Sequence, residues 1–462
     1  VSATLGRNLA RDGVNDVPDR EVTQRSVNDD VLSMVAIPGP VWWTLFLVDL
    51  TVLAVALAAV RNLIVHGWGV SAFMRPVMWA VDITNFVFWV GIAHCGTLVS
   101  AVLFLFRSHF RRAVYRIAEA MTVFGVLTAA MFPAIHTGRP WFDYWLFPYP
   151  NQRQIWTNIR SPLEWDVFAV NTYLTISSIF FLVGLIPDCA AARDRAKHPI
   201  MKLIYTLFSF GWTGANYQWK HFYGAYLFFA ALATPLVFSV HSVVSWDFAM
   251  AQVPGWHSTL FAPYFVAGAI FSGVAMVIFL LVIIRKGFNL QHLVTIDHME
   301  KLAKLVLLTS CMVGYSYLTE FFMAWFGPNR AERDVFWFRA TGHYWWAFWI
   351  MFSCNVIFPL SLWFKSVRRN MTALFVLSIL VNIGMWFERF VIIVTSLTRA
   401  FNPSNWFYYR ISITELALIA GSFAWFFMFF LVFVRVLPAL SISEIKETLA
   451  VPMRRNGRRN HA

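Results

Sequence analysis

Charge is scarce in this sequence: Asp, Glu, Lys and Arg make up 13% of its 462 residues, against ~25% in ordinary soluble domains. Cysteine is scarcer still. Cys95, Cys189, Cys311 and Cys354 lie far apart and form no CxxC, which removes the usual ligand spacing of a structural zinc or an iron–sulfur cluster. There is no Walker A sequence, no GxGxxG and no GxSxG. P-loop, Rossmann and α/β-hydrolase chemistry therefore have no footing here.

What the chain has instead is hydrocarbon. Hydrophobic residues are 59% of the total, with 46 Phe and 22 Trp. A soluble protein of this length could not cover so much apolar surface. The composition points to an all-α polytopic membrane protein, since a bilayer demands that every backbone polar group be satisfied internally. Ten apolar stretches are long enough to cross ~30 Å of hydrocarbon. They fall at 41–60, 77–106, 117–136, 163–187, 221–245, 260–284, 301–326, 342–364, 371–397 and 412–438. The shorter stretch 200–215 reads as an interfacial or re-entrant piece, with a tilted eleventh span as the alternative.

Orientation follows from the connections. Twenty-three Lys and Arg fall on the side of residues 1–40, 107–116, 188–220, 285–300, 365–370 and the C-terminal tail, and ten on the other. The positive-inside rule then places both termini in the cytoplasm. The net charge of +13 thus reports loop sidedness and implies no nucleic-acid partner. Residues 1–40 lack the order of a signal peptide and read as a cytoplasmic arm. Residues 439–462 read as a basic cytoplasmic tail, with Arg454, Arg455, Arg458 and Arg459 able to rest on anionic lipid.

Ionisable residues inside the spans are the functional candidates, because a charge in hydrocarbon is costly. Asp82, Asn85 and Trp89 share one face of the second span, with His94 deeper. His136 closes the third span, Glu164 and Asp166 open the fourth, and His241 with Asp247 closes the fifth. With Arg139, the residues His136, Asp166 and Asp247 reach one depth near the outer face. A quinone headgroup needs donors and acceptors there, an apolar slot below, and groups such as His and Asp to take protons. Trp141 and Trp165 are candidate walls of that slot. The plainer alternative has His136 and Arg139 snorkelling to headgroups, with Ser161, Pro162 and Glu164 capping the fourth span. A deeper set, His94, Glu320, Glu388 and Arg389, suits a proton relay or plain helix packing. Glu388 and Arg389 are adjacent and point ~100° apart, so separate partners are expected for them.

The stretches 136–166 (HTGRPWFDYWLFPYPNQRQIWTNIRSPLEWD), HSVVSWDFA (241–249), PGWHSTLFAPYFVAGAIFSG (254–273) and NIGMWFERFVI (382–392) resemble the NrfD/PsrC family of quinone-interacting membrane subunits. They are most similar to the ActC subunit of alternative complex III, with ActF next. The resemblance implies two four-helix bundles followed by two extra C-terminal helices, covering a core of 41–397 and a tenth helix at 412–438. It implies a chain that holds menaquinol near the periplasmic face and binds no haem or iron–sulfur cluster itself. Its implied partners are a periplasmic iron–sulfur subunit, multihaem cytochrome c subunits, a homologous NrfD-like membrane subunit and lipids of a bacterial inner membrane. On this pattern His136 and Asp166 match the quinol-site residues, and Arg139 lies near the pocket. Asp247, Glu320, Glu388 and Arg389 fall where the family's proposed proton route lies, and Asp82 and His94 are added to that route by their own placement in the second span. A secondary transporter and a purely structural anchor of a redox complex are the competing classes.

Overall fold

The computed structural model describes residues 23–35, 38–147, 161–447 and 449. Among them, ten helices are long and apolar enough to cross a membrane: α1 (Pro40–Val70), α2 (Ala80–Leu105), α3 (Tyr115–His136), α4 (Pro162–Arg193), α5 (Asn216–Ala249), α6 (Phe261–Gly287), α7 (Ile296–Phe326), α8 (Trp345–Trp363), α9 (Met371–Thr395) and α10 (Ile413–Val436). No strand occurs among the described residues beyond one isolated bridge, Met74 to Val77. The protein is an all-α multi-pass integral membrane protein, and all ten expected spans are present. Residues 200–215 supply no eleventh. The helix there, Pro199–Phe208, has ten residues, which is about 15 Å and too short to cross.

Helices α2–α5 pack as one four-helix bundle and α6–α9 as a second. The bundles join through α6, which lies against α2, α5 and α9. Close approach fixes that seam. A Cβ on Gly273 of α6 would stand 2.0 Å from the Cβ of Cys95 on α2, so only glycine fits. The two helices outside the bundles are not both C-terminal, as the resemblance implied. They are the first and the last, and they pair with each other. The Trp42 indole donates to the Leu431 carbonyl at 3.0 Å. A Cβ on Gly421 would meet the Cβ of Ala56 at 2.2 Å. Pairing of this kind follows from small residues letting helix backbones approach in lipid.

Three π turns interrupt the core helices, at Leu98–Val102, Ser353–Ile357 and Val391–Thr395. Such turns are rare and often mark functional positions. Near the start of the described chain, the helix Gln24–Ser33 buries Val27 and Val31. Asp29 bonds Arg195 at 2.7 Å, and Asp30 meets His292 at 2.8 Å. The segment after α10 folds back as Ile442–Glu447, burying Ala439, Leu440, Ser441 and Ile442. So part of each expected tail is built into the fold. Residues 1–22 of the arm and Arg454, Arg455, Arg458 and Arg459 lie outside the described residues.

Candidate functional site

The four helices of the first bundle bring titratable side chains to the same end, and four of these, one from each helix, meet in two pairs. Asp82, in the first turn of α2, faces His136, the last residue of α3. The carboxylate oxygen stands 3.7 Å from His136 Nδ1. Asp82 is 1% exposed at its side chain and His136 22%. The imidazole is held in place from both sides: Phe73 meets it edge-on at 5.5 Å, and the Trp68 indole donates to its backbone carbonyl at 3.2 Å. Among the described residues, neither Asp82 oxygen has a hydrogen-bond partner, and neither does His136 Nδ1. Buried polar atoms are paired in the great majority of cases, so these stand out.

The second pair comes from α4 and α5. Asp166 and Asp247 lie within hydrogen-bond reach of each other. Two carboxyls make that bond only with a proton between them. Their neighbours repeat the contact, since Trp165 and Trp246 meet edge to face with centroids 5.9 Å apart. Glu164, in the first turn of α4, is buried with both oxygens unpartnered. Helix α4 begins at Pro162 after Ser161, as the sequence predicts, but the Ser161 hydroxyl makes no cap hydrogen bond.

Arg139 and Trp141 stand apart from these pairs. Both are exposed, Trp141 by 58%, around the short turn Pro140–Leu146. The rest of that loop, 148–160, lies outside the described residues. Close to Asp82 lies a group to which no motif in the sequence points. Tyr409, just before α10, interacts with Glu415 and Asp82, and burial with those two charges pushes its phenol well above the ordinary range. Ser412 and Glu415 form a reciprocal cap that opens α10.

His241 does not share the depth of His136. Helix α5 continues to Ala249, so His241 is two turns inside, with its ring centroid 5.0 Å from that of His94. His94 stacks on Tyr173 at 4.5 Å. The Tyr173 hydroxyl donates to Thr97 at 2.9 Å. Toward the opposite end of the bundle, in the first turns of α3, is a wholly buried ion cluster. Arg116 donates to Asp188 at 2.8 Å and to the Gly184 carbonyl at 2.6 Å, and pairs with Glu119 at 3.4 Å. The Tyr226 hydroxyl donates to Glu119 at 2.8 Å. No spacing in the sequence links Arg116 to Asp188, because the contact crosses two helices.

In the second bundle Glu388 and Arg389 are partners after all, at 3.0 Å. A long guanidinium bridges the angle between adjacent helical positions. Arg389 also lies over the Phe265 ring at 4.1 Å, while Glu388 accepts from the Tyr317 hydroxyl. Asn355, in the π turn of α8, donates to that same hydroxyl at 2.8 Å. Phe265 packs in turn on His241 at 5.9 Å, so the two bundles' polar groups meet across α6. Glu320 lines a small cavity with Tyr264, Tyr317 and Arg339. Arg339, on the connecting helix Arg330–Thr341, donates to Ser396 at 2.7 Å and to the Gly255 carbonyl at 3.1 Å. No cluster of His, Cys, Asp or Glu with metal-holding geometry occurs among the described residues.

Comparison with known proteins fits this architecture. The family profile described as "Polysulphide reductase, NrfD" matches residues 69–400, the stretch that contains both bundles and leaves out α10 and nearly all of α1. The C subunit of selenate reductase from Mesobacillus selenatarsenatis is 22% identical over 417 residues, 84% of this chain and 92% of that protein. A protein of Halobacterium salinarum assigned as the C membrane subunit of a dimethyl sulfoxide reductase is 24% identical over 228 residues, 49% of this chain and 48% of that one. The Hdr-like menaquinol oxidoreductase integral membrane subunit of Archaeoglobus fulgidus is 24% identical over 180 residues, 39% and 42% respectively. The last two alignments span less than half of each relative's length. Matched across both four-helix bundles, the chain belongs to the NrfD/PsrC-like family of polysulphide and quinone reductase membrane subunits.

Proposed function

We propose that this chain is the quinol-oxidising membrane subunit of a multisubunit redox complex, nearest in kind to the ActC subunit of alternative complex III. The observation that carries the reading is the pair of proton acceptors at one end of the first bundle. Asp82 with His136, and Asp166 with Asp247, are buried or half-buried, lie at helix ends, and keep polar atoms unpartnered. Oxidation of a quinol to a quinone releases two electrons and two protons. His136, oriented by Asp82, takes one proton, and the Asp166–Asp247 pair takes the other. Glu164 offers further acceptor oxygens beside them. Trp165 walls the headgroup slot, with the exposed Arg139 and Trp141 in the loop outside it.

The substrate in this reading is menaquinol, and the chain contributes no haem or cluster of its own. The electrons pass to an iron–sulfur subunit docked over the His136 end, and onward to multihaem cytochrome c subunits. A second NrfD-like subunit sits alongside in the membrane. The positive-inside count supports a periplasmic His136 end in a bacterial inner membrane, with the arm and tail cytoplasmic. Proton translocation is part of the reading. Glu119, Asp188, Tyr173, His94, His241, Arg389, Glu388 and Glu320 form a succession of buried polar groups from one end of the first bundle to the other end of the second.

The test is turnover of menaquinol and ubiquinol by the purified native complex, with His136→Ala and Asp166→Asn beside wild type and assembly checked in the same samples. Loss of turnover by about 10²–10⁴-fold with intact assembly is expected for removal of a proton acceptor. Normal turnover in both variants overturns the site.

A further inference from the structure

At the Arg116 end, far from the proposed quinol site, a cavity of about 500 Å³ opens between the end of α4, the start of α5 and the helix Ile442–Glu447. Its wall carries two carboxylates, and both are already satisfied. Asp188 accepts from Arg116 at 2.8 Å and from the Ser443 amide at 3.0 Å. Glu447 accepts from the Tyr223 hydroxyl and faces Arg112 at 3.6 Å. Lys446 is different. It lines the same cavity, and its ammonium has no hydrogen bond or ion pair among the described residues. Burial, together with the charge of Arg195 and against that of Asp188, holds its ammonium below the ordinary range. The site is therefore short of one anion.

Two of the walls are tryptophans. Trp212 and Trp219 meet edge to face at 4.9 Å, and Trp219 stacks on Tyr223 at 5.9 Å. Neither indole N–H has an acceptor among the described residues. The loop that carries Trp212 is firmly built, with Gln218 accepting from the amides of Thr213 and Gly214 at 2.9 and 3.0 Å. Aromatic residues with an apolar body and a polar tip favour the headgroup level of a bilayer.

The surroundings identify the kind of anion. The helix Pro199–Phe208 turns Ile200, Leu203 and Leu207 outward, 61%, 70% and 70% exposed. Their spacing makes one apolar stripe on a helix too short to span, the signature of a helix lying in the interface. On α5, Trp219, Tyr223 and Leu227 follow at successive turns, leading from the cavity along the helix toward the bilayer interior, with Leu227 52% exposed. A ligand that fits has a phosphate at one end and hydrocarbon at the other.

We infer that this cavity holds the phosphodiester of an anionic phospholipid, with Lys446 as its counter-charge, the indole N–H groups of Trp212 and Trp219 as donors, and an acyl chain laid over Tyr223 and Leu227. A zwitterionic lipid fits worse, since its headgroup brings a second cation toward Lys446. The bound lipid also ties the segment after α10 to the first bundle, because Lys446 sits on the same short helix whose Glu444 bonds Arg111 at 2.7 Å.

The experiment is native mass spectrometry of the full chain, purified in detergent and stripped of loosely held lipid, then titrated with phosphatidylglycerol or phosphatidylcholine. One phosphatidylglycerol is expected to be retained more tightly than phosphatidylcholine. Lys446→Ala should weaken that retention about fivefold, the scale of one basic residue at an anionic surface, and Lys446→Arg should restore it. Trp219→Leu should weaken it without touching the charge. Melting temperature and elution volume report folding of each variant, and if Lys446→Ala fails to fold, Lys446→Gln and Trp219→Leu decide the matter. Equal retention of the two lipids, or retention unchanged in the variants, overturns the proposal. Displacement by millimolar inorganic phosphate overturns the lipid assignment in favour of a free-anion site.

Discussion

Asp166 and Asp247 face each other across α4 and α5, and the tryptophan before each one faces the other as well. The chain thus places the dipeptide Trp-Asp twice at one crossing, from positions 81 residues apart. Two carboxyls in that relation act as one coupled unit, whose protons belong to the pair and not to either residue.

Asp166→Asn and Asp247→Asn should therefore be strongly non-additive. Each single variant is expected to lower quinol turnover of the assembled complex by about 10²-fold or more, and the double variant little further. A double-variant cycle on turnover checks this. Independent, multiplying losses would show that the two carboxyls work separately.

Asp82→Asn keeps the shape of the first pair and removes its charge. The imidazole of His136 then loses the carboxylate that stands 3.7 Å from its Nδ1 and orients it. Turnover is expected to fall by about 10²-fold, while Asp82→Glu recovers part of it. An Asp82→Asn complex with wild-type turnover would make Asp82 a packing residue.

Glu388→Gln should destabilise the fold by about 3–5 kcal/mol, because it leaves Arg389 charged and unpaired in the interior. The double change Glu388→Gln with Arg389→Met should be milder, since both charges leave together. Thermal unfolding of the purified chain tests the order. If the single variant melts no lower than the double, the pair contributes nothing that depends on charge.

Gly273→Val should separate α6 from α2. Even a methyl group there meets Cys95 at 2.0 Å, and overpacking of this kind costs roughly 1–3 kcal/mol or more. Gly287→Ala, at the end of the same helix, meets nothing within 4 Å and serves as the control. Folded yield and melting temperature of the two variants should differ in that order.

The spans were legible because a bilayer reads composition almost directly. Ten apolar runs became ten helices, and the short run near residue 200 became a helix too short to cross. The depth of His241 was not legible. The hydrophobic run ends near Val244, and Trp246 and Asp247 look like a terminus, yet the helix runs on to Ala249, with Asp247 meeting Asp166 of α4. A polar residue marks a helix end only when no partner waits for it. The Arg116, Glu119 and Asp188 cluster stayed hidden for the same reason, since its members sit on different helices and no local spacing unites them. Likewise His136 and Asp166 stood out within one stretch, whereas Asp82 acquired its relation to His136 only through the packing of α2 on α3.

The pairing of α1 with α10 sets a schedule for biosynthesis. One span waits for another that emerges 389 residues later, because Trp42 finds its acceptor at Leu431. In the interval α1 has to persist alone in lipid. It can do so: it is apolar along its length, and little of it is buried by the rest of the fold even at the end. Asp49 and Arg61 are its only charged positions. A nascent chain arrested before residue 413 should therefore hold α2–α9 already assembled, with α1 tethered to α2 and still unpaired until α10 forms.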